Sequence, residues 1–489
     1  MSGPSRLLAT TVFTLMLASG AAARAADNTA KIVESTLDGG RFGLVHVLRP
    51  VVAPTNVALL FSGDGGWGDG VAGYARRLAR EGFLVAGVDT TIYISSLAPT
   101  SDEPGSAAAK PPACTFMAGD VEALSQHLQW AQKLPHYLRP VLFGYSAGAS
   151  VVYTTLAQAP TGTFAGGVSL SFCKEMDTAG ARLCRGAGLH SLQIEKSTEV
   201  TLQPAAKLAF PWTIVHGERD TICSASETRS FVTAIPAARL IALPKATHDL
   251  TPTDAWWPRV RQDYRAMLVA DTASRAAQKV SPEALNDLPL TEVPATAQES
   301  DVFAVMISGD GGWAALDQGV SRALAARGVP VVGLNSLKYF WQARTADSTA
   351  TDLNRIVTQY AARWRKQRVL LVGYSFGADV MPFAFNRLPA ATRARVASVS
   401  LLGLGPAATF EVTVGEWLPG ADDGGDPVVP EIARMPAMPM LCVMGEGEDD
   451  SSCPKLVASG VTVRQIGDGH HFGGLAPQIA DAILQVSGN

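Results

Sequence analysis

Twice in this chain an apolar run breaks into Gly-Tyr-Ser-x-Gly and then into helix-forming sequence. The first copy is Val141-Leu142-Phe143 followed by Gly144-Tyr145-Ser146-Ala147-Gly148. The second is Val369 to Val372 followed by Gly373-Tyr374-Ser375-Phe376-Gly377. A strand, a tight turn with serine at its apex and a following helix make a nucleophile elbow. The turn is strained, so the residues two before and two after the serine must be small, and glycine meets that need in both copies. Such a turn lifts the hydroxyl clear of the sheet and aims the N-terminal N–H groups of the helix at the space above it. One match is a weak signal in a chain with 46 glycines. Two, each with a strand before and a helix after, constrain the fold strongly.

The rest of the chain repeats around these elbows. Leu59 to Trp67 reads L-L-F-S-G-D-G-G-W and Val305 to Trp313 reads V-M-I-S-G-D-G-G-W, so identical blocks start at Ser62 and Ser308. Each follows a β-type run and precedes an amphipathic segment that stops at glycine, Gly82 or Gly328, and a second apolar run follows. Strands alternating with helices predict a mainly parallel sheet covered on both faces. The expected architecture is therefore two tandem α/β domains with mainly parallel sheets, at 28–272 and 298–489. Residues 273–297, with Pro282, Pro289 and Pro294, read as a linker. Pro99 to Pro112 and Gly415 to Pro430 read as loops, the second with a solvated acidic run of Asp422, Asp423 and Asp426.

Composition sets outer limits. With 489 residues, 47% hydrophobic and 17% charged, and a net charge of −4, the chain has room for two cores and nothing basic enough for a nucleic-acid partner. Its first residues differ: Arg6, an apolar run from Leu7 to Leu17 and Ala23-Arg24-Ala25-Ala26 read as a secretory signal peptide over 1–26. That predicts a mature chain without a membrane span, in an oxidising compartment. Six cysteines suit such a compartment. Sequence cannot fix their pairing; proximity suggests Cys173 with Cys184 and Cys442 with Cys453, which leaves Cys114 for Cys223. The cysteines lack metal-ligand spacing, and a P-loop is excluded because no Gly-Lys-Ser/Thr follows the glycine-rich blocks. No metal or organic cofactor is expected.

A serine hydroxyl needs a base within reach and a carboxylate to orient that base. In α/β hydrolases the acid follows the elbow and the histidine comes last. Both halves supply that order: Ser146, Asp220 and His248 in the first, Ser375, Asp450 and His470 in the second. Asp449 competes with Asp450, and Asp450 is preferred because Asp450-Ser-Ser-Cys453 then answers Asp220-Thr-Ile-Cys223. His471 competes with His470, and His470 is preferred because it aligns with His248. Acyl transfer also needs N–H donors for a developing oxyanion. The residue after each serine, Ala147 or Phe376, and the backbone of Gly309-Asp310-Gly311-Gly312 are the candidates. The side chains of Asp64 and Asp310 are expected to be structural.

These motifs together resemble the bacterial VirJ/AcvB virulence proteins: S-G-D-G-G-W, then Leu337-Lys338-Tyr339-Phe340-Trp341, G-Y-S-F-G-A-D-V-M-P, Asp450 to Pro454, and Gly469-His470-His471-Phe472. The resemblance runs over nearly the whole chain and is to the longer, two-domain AcvB-like type. It implies two α/β-hydrolase-like domains and a periplasmic serine hydrolase acting on lysyl-phosphatidylglycerol, with Ser375 as nucleophile, and it implies a tie to virulence and type IV secretion proteins. Asp379, four residues after Ser375, is a candidate for holding the lysyl cation, and Lys338 for meeting the phosphate. The first domain departs from this pattern, with Ser150 where the second has Asp379 and Thr90-Thr91-Ile92-Tyr93 in place of the Lys338 segment. Ser146 is thus expected to be secondary or silent. An esterase for another lipid and a non-catalytic secretion accessory are the rival readings.

Overall fold

Each elbow stands at the C-terminal edge of its own sheet. The computed structural model describes residues 31–98, 114–277, 283–298, 300–412 and 425–488. The expected signal peptide, the loop at 99–112, and Asp422 and Asp423 lie outside the described residues. The first domain contributes β1 (Ile32–Asp38), β2 (Leu44–Pro50), β3 (Asn56–Phe61), β4 (Phe83–Val88), β5 (Val141–Tyr145), β6 (Gly166–Leu170), β7 (Glu175–Asp177), β8 (His190–Gln193), β9 (Glu199–Gln203), β10 (Trp212–Gly217) and β11 (Ala238–Leu243). Eight of these form one sheet in the order β1-β2-β4-β3-β5-β6-β10-β11, parallel from β4 to β11 and antiparallel at β1 and β2. The other three, β7, β9 and β8, make a small antiparallel side sheet.

The second domain repeats the plan with β12 (Leu290–Val293), β13 (Val302–Ile307), β14 (Val331–Leu334), β15 (Arg368–Tyr374), β16 (Val396–Leu402), β17 (Ala407–Ala408), β18 (Asp426–Pro427), β19 (Met440–Glu446) and β20 (Thr462–Asp468). Its seven-stranded sheet runs β12-β14-β13-β15-β16-β19-β20, parallel except at β12. The mainly parallel α/β class is therefore as the sequence predicts. The boundary shifts: β12 pairs with β14 at Leu290 to Val293, inside the stretch expected to be linker. Every residue of β13 is buried, because helices cover both faces of a parallel sheet and alternation is lost. Side chains of β15 feed two cores, Val369 and Leu371 on one face, Leu370, Val372 and Tyr374 on the other.

Three letters of the S-G-D-G-G-W block have a plain structural reason. Ser308 Oγ accepts the Ser336 N–H at 2.9 Å and Ser62 Oγ accepts the Thr90 N–H at 3.0 Å, which staples each loop to the segment after the next strand. Gly312 and Gly66 have φ of +81° and +74°, a region that favours glycine. Trp313 lies on Gly333 of β14, where a β-carbon would come within 2.0 Å of the indole; Trp67 lies on Gly87 in the same way at 2.1 Å.

The two domains are in contact. Tyr137 of the first is buried in the core of the second, and Trp341 Nε1–H donates to the Leu134 carbonyl at 2.9 Å. The disulfides are Cys114–Cys184, Cys173–Cys223 and Cys442–Cys453. Only the last follows proximity in sequence; Cys173–Cys184 and Cys114–Cys223 are overturned. Cys173 and Cys223 follow β6 and β10, which are neighbouring parallel strands, so they emerge at the same edge. Cys114 and Cys184 flank the bridge that pairs Thr115 with Leu183.

Gly333→Ala should destabilise the second domain by about 2 kcal/mol, because the indole cannot move without disturbing the loop. Gly73→Ala, at an open position of the helix Asp69–Arg80, should instead be neutral or stabilise by about 0.5 kcal/mol. Urea unfolding of the two variants checks the pair.

Candidate active site

Ser375 has φ +51° and ψ −123°, and Ser146 has φ +54° and ψ −118°. These are strained conformations for serine. Each is held by its neighbours: Ser375 N–H donates to Leu402 O of β16 at 2.8 Å, and Ser146 N–H to Leu170 O of β6 at 2.9 Å. A β-carbon on Gly373 would lie 2.3 Å from the Gly377 carbonyl oxygen, and one on Gly377 would lie 2.2 Å from that of Ile307. The two motif glycines are thus required by backbone contact.

In the second domain His470 follows β20 and reaches back to the elbow. Its Nε2 is 2.8 Å from Ser375 Oγ. Its Nδ1 is 2.5 Å from Glu448 Oε1, and Glu448 Oε2 accepts the Gly445 N–H at 2.9 Å. The carboxylate partner is therefore Glu448 and not Asp450, which is exposed, as is Asp449, whereas Glu448 is buried. A count from the strand-end glycine finds the right residue: Asp220 stands three after Gly217, and Glu448 three after Gly445. Counting back from the cysteine fails, because the second domain carries two more residues between the acid and Cys453. Packing around His470 works against its charged form. The hydrogen bond and charge of Glu448, helped by Asp310 and Asp450, outweigh it and hold the pKa above the ordinary histidine value. His471 is turned away, its Nδ1 2.7 Å from the Tyr374 hydroxyl.

The first domain brings together the expected residues. His248 Nε2 is 3.0 Å from Ser146 Oγ and His248 Nδ1 is 2.8 Å from Asp220 Oδ2. Asp220 Oδ1 is fixed by the N–H groups of Ile222 and Cys223, at 2.8 and 2.9 Å. One contact departs from expectation. Ser146 Oγ donates to Asp64 Oδ1 at 3.1 Å, so the Asp64 side chain is at the serine rather than only in its own turn. In the second domain the equivalent carboxylate, Asp310, accepts the Gly311 N–H at 3.0 Å.

The glycine-rich loop is partly committed to itself. Gly312 N–H donates to Gly309 O at 3.0 Å, and Gly309 N–H turns to Asp317. Asp317 is buried behind the loop; burial, with the charge of Asp310 adding, pushes it up to about 8 against backbone N–H groups that favour its charge. The Asp310 and Phe376 N–H groups remain the candidate donors for a developing oxyanion among the described residues. Asp379 is half-buried, and its Oδ1 accepts the Gly405 N–H at 2.8 Å. Lys338 is exposed and lines the cleft that also holds Gly311, Trp313 and Asn335. Among the described residues no helix is long and apolar enough to cross a membrane.

A parallel sheet with a serine elbow, then a carboxylate, then a histidine at successive strand ends defines the α/β-hydrolase fold, present here twice. The chain matches the family described as bacterial virulence protein (VirJ) over residues 55–165 and 301–488, more than half its length, and it belongs to the VirJ family. No curated protein matches it. Among solved structures it is similar to the Pyrococcus furiosus esterase Pf2001 (15% identity, TM-score 0.31, 55% of this chain and 100% of that one). It is also similar to the esterase domain of a Rhodothermus marinus protein (15%, 0.29, 50% and 98%). A third is Est1E from Butyrivibrio proteoclasticus (12%, 0.30, 50% and 99%). Likeness at this level carries no inference about reaction or substrate.

Glu448→Gln should slow fluorophosphonate labelling of Ser375 roughly a thousandfold, by leaving the imidazole without its orienting charge. Asp450→Asn should stay within a few-fold of wild type. Because His470 must be neutral to act as base, the labelling rate should rise with pH to a half-point above the ordinary histidine value.

Proposed function

We propose that this chain is an exported serine hydrolase that works through Ser375, His470 and Glu448. The observation that carries the reading is the relay from buried Glu448 through His470 to Ser375 Oγ, with hydrogen bonds of 2.5 and 2.8 Å. His470 Nε2 takes the hydroxyl proton as Oγ attacks an ester carbonyl, and Glu448 stabilises the imidazolium. The N–H groups of Phe376 and Asp310 receive the oxyanion. His470 returns the proton to the leaving alcohol. Water then attacks the acyl-enzyme by the same route and frees the acid.

The substrate we assign is the aminoacyl ester of lysyl-phosphatidylglycerol, the class implied by the chain's likeness to AcvB-like proteins. Asp379, one helical turn beyond Ser375, is the candidate for the lysyl cation, and Lys338 for the phosphate. Three disulfides fit an oxidising compartment, and we place the protein in the periplasm, where secretion-system proteins are candidate partners. Ser146 is assigned a silent or minor role. Its single proton is contested by Asp64, and a carboxylate there opposes negative charge building on a bound carbonyl.

The test is lipid analysis after incubating the purified chain with lysyl-phosphatidylglycerol vesicles. Wild type and Ser146→Ala should release lysine, and Ser375→Ala should lose at least about a thousandfold. Asp379→Asn should raise KM for the lysyl lipid and leave an uncharged ester unaffected. Loss of activity in Ser146→Ala alone would reverse the assignment of domains.

A further inference from the structure

The second domain's site is not walled by that domain alone. The first domain's helix Met117–Ala131 and the residue before it run up to the site. The Phe116 ring is 5.3 Å from that of His471, the neighbour of the base. A β-carbon on Gly311 would lie 3.5 Å from both carboxylate oxygens of Glu122, so this side chain rests on the loop one residue past Asp310. The first domain has nothing of the kind: a β-carbon on Gly65, the equivalent position, would meet no atom within 4 Å. Glu122 is half-buried in a small cavity at the domain junction, with Tyr137 and Arg139 on its own side and Asn335 and Lys338 opposite. The charged and titratable groups acting with it are Asp310 and Tyr374 across the junction and Arg139 and Tyr137 beside it, and Lys338 lines the same cavity. Burial, then repulsion from Asp310, pushes its carboxyl up to about 8, with Arg139 opposing.

We propose that the first domain is part of the second domain's active site, and that Glu122 is a positioning residue there. As a neutral carboxyl it seats the Asp310–Gly311 turn. As a carboxylate it sets a further negative charge beside the place where the oxyanion develops and slows the reaction. The inference rests on the reading of Ser375 as nucleophile. It gives the first domain a role that needs no chemistry at Ser146, and it gives the enzyme an alkaline limit that is set from the other domain.

The test uses the full chain with Ser146→Ala, so that only Ser375 takes label, and follows the rate of fluorophosphonate labelling from pH 6 to 10. The rate should rise as His470 loses its proton, then fall about tenfold around pH 8 as Glu122 ionises. Glu122→Gln should remove the fall, while Glu122→Asp should retain it. A Glu122→Gln protein that still falls would assign the alkaline limb to Asp317, on the other side of the loop, and overturn the proposal. A wild-type profile that stays flat to pH 10 would overturn it without any variant, so a folding defect in Glu122→Gln leaves the question decidable. No labelling of Ser375 at any pH would sink the nucleophile assignment itself, and the inference with it.

Discussion

The structure turns on a close approach between backbones. At the second elbow the chain passes so near itself that neither Gly373 nor Gly377 has room for a methyl group, with the opposing carbonyl oxygens 2.3 and 2.2 Å from where one would sit. That crowding forces Ser375 into a positive φ, and the hydrogen bond to Leu402 of the neighbouring strand holds it there. A loop could carry the serine without this strain. It could not then hold Oγ at a fixed distance from an imidazole delivered from 95 residues further along. The strands beside the elbow are buried because helices cover both faces of the sheet, and the site inherits its precision from that packed support.

The duplication shows which parts of the plan tolerate change. Both copies keep the serine staple, the tryptophan lying on a strand glycine, and the acid three residues after the strand-end glycine. What differs is the second carboxylate, Asp64 in one copy and Asp310 in the other. Asp64 accepts the nucleophile's own proton; Asp310 accepts the next N–H in its turn. A rotation of one short side chain thus separates a serine whose proton is divided between two acceptors from one whose proton has a single destination.

Legibility in the sequence followed the range of the interaction. The elbows, the alternation of strand and helix, the order of serine, acid and histidine, and His470 over His471 were readable, because each depends on residues a few positions apart or on a repeat seen twice. Glu448 was missed for a specific reason. The cysteine chosen as a landmark is tied to β19 in one domain and to the end of β6 in the other, so it does not mark the same place. The glycine at the strand end does, since its missing side chain admits the histidine loop: a β-carbon on Gly445 would be 2.0 Å from Gly469 O, and one on Gly217 would be 2.5 Å from Ala246 O. The crossed pair of disulfides failed likewise, because strand adjacency, not chain separation, brings cysteines together.

Glu122 was out of reach of any such reading. It sits mid-helix, where a glutamate is ordinarily a solvated surface residue, and nothing nearby marks that this face meets another domain. The information is spread over both domains: Tyr137 sunk into the second core, Trp341 bonded back to Leu134, and Gly311 open enough to accept a carboxyl. Without the first domain the same loop would face water, and the charge of Asp310 would be screened there. The first domain instead sets Glu122 against the Gly311 position and Phe116 against His471. On the role proposed for Glu122, a second copy of the fold has a use that needs no reaction of its own, because the surface it presents borders the site of the other copy.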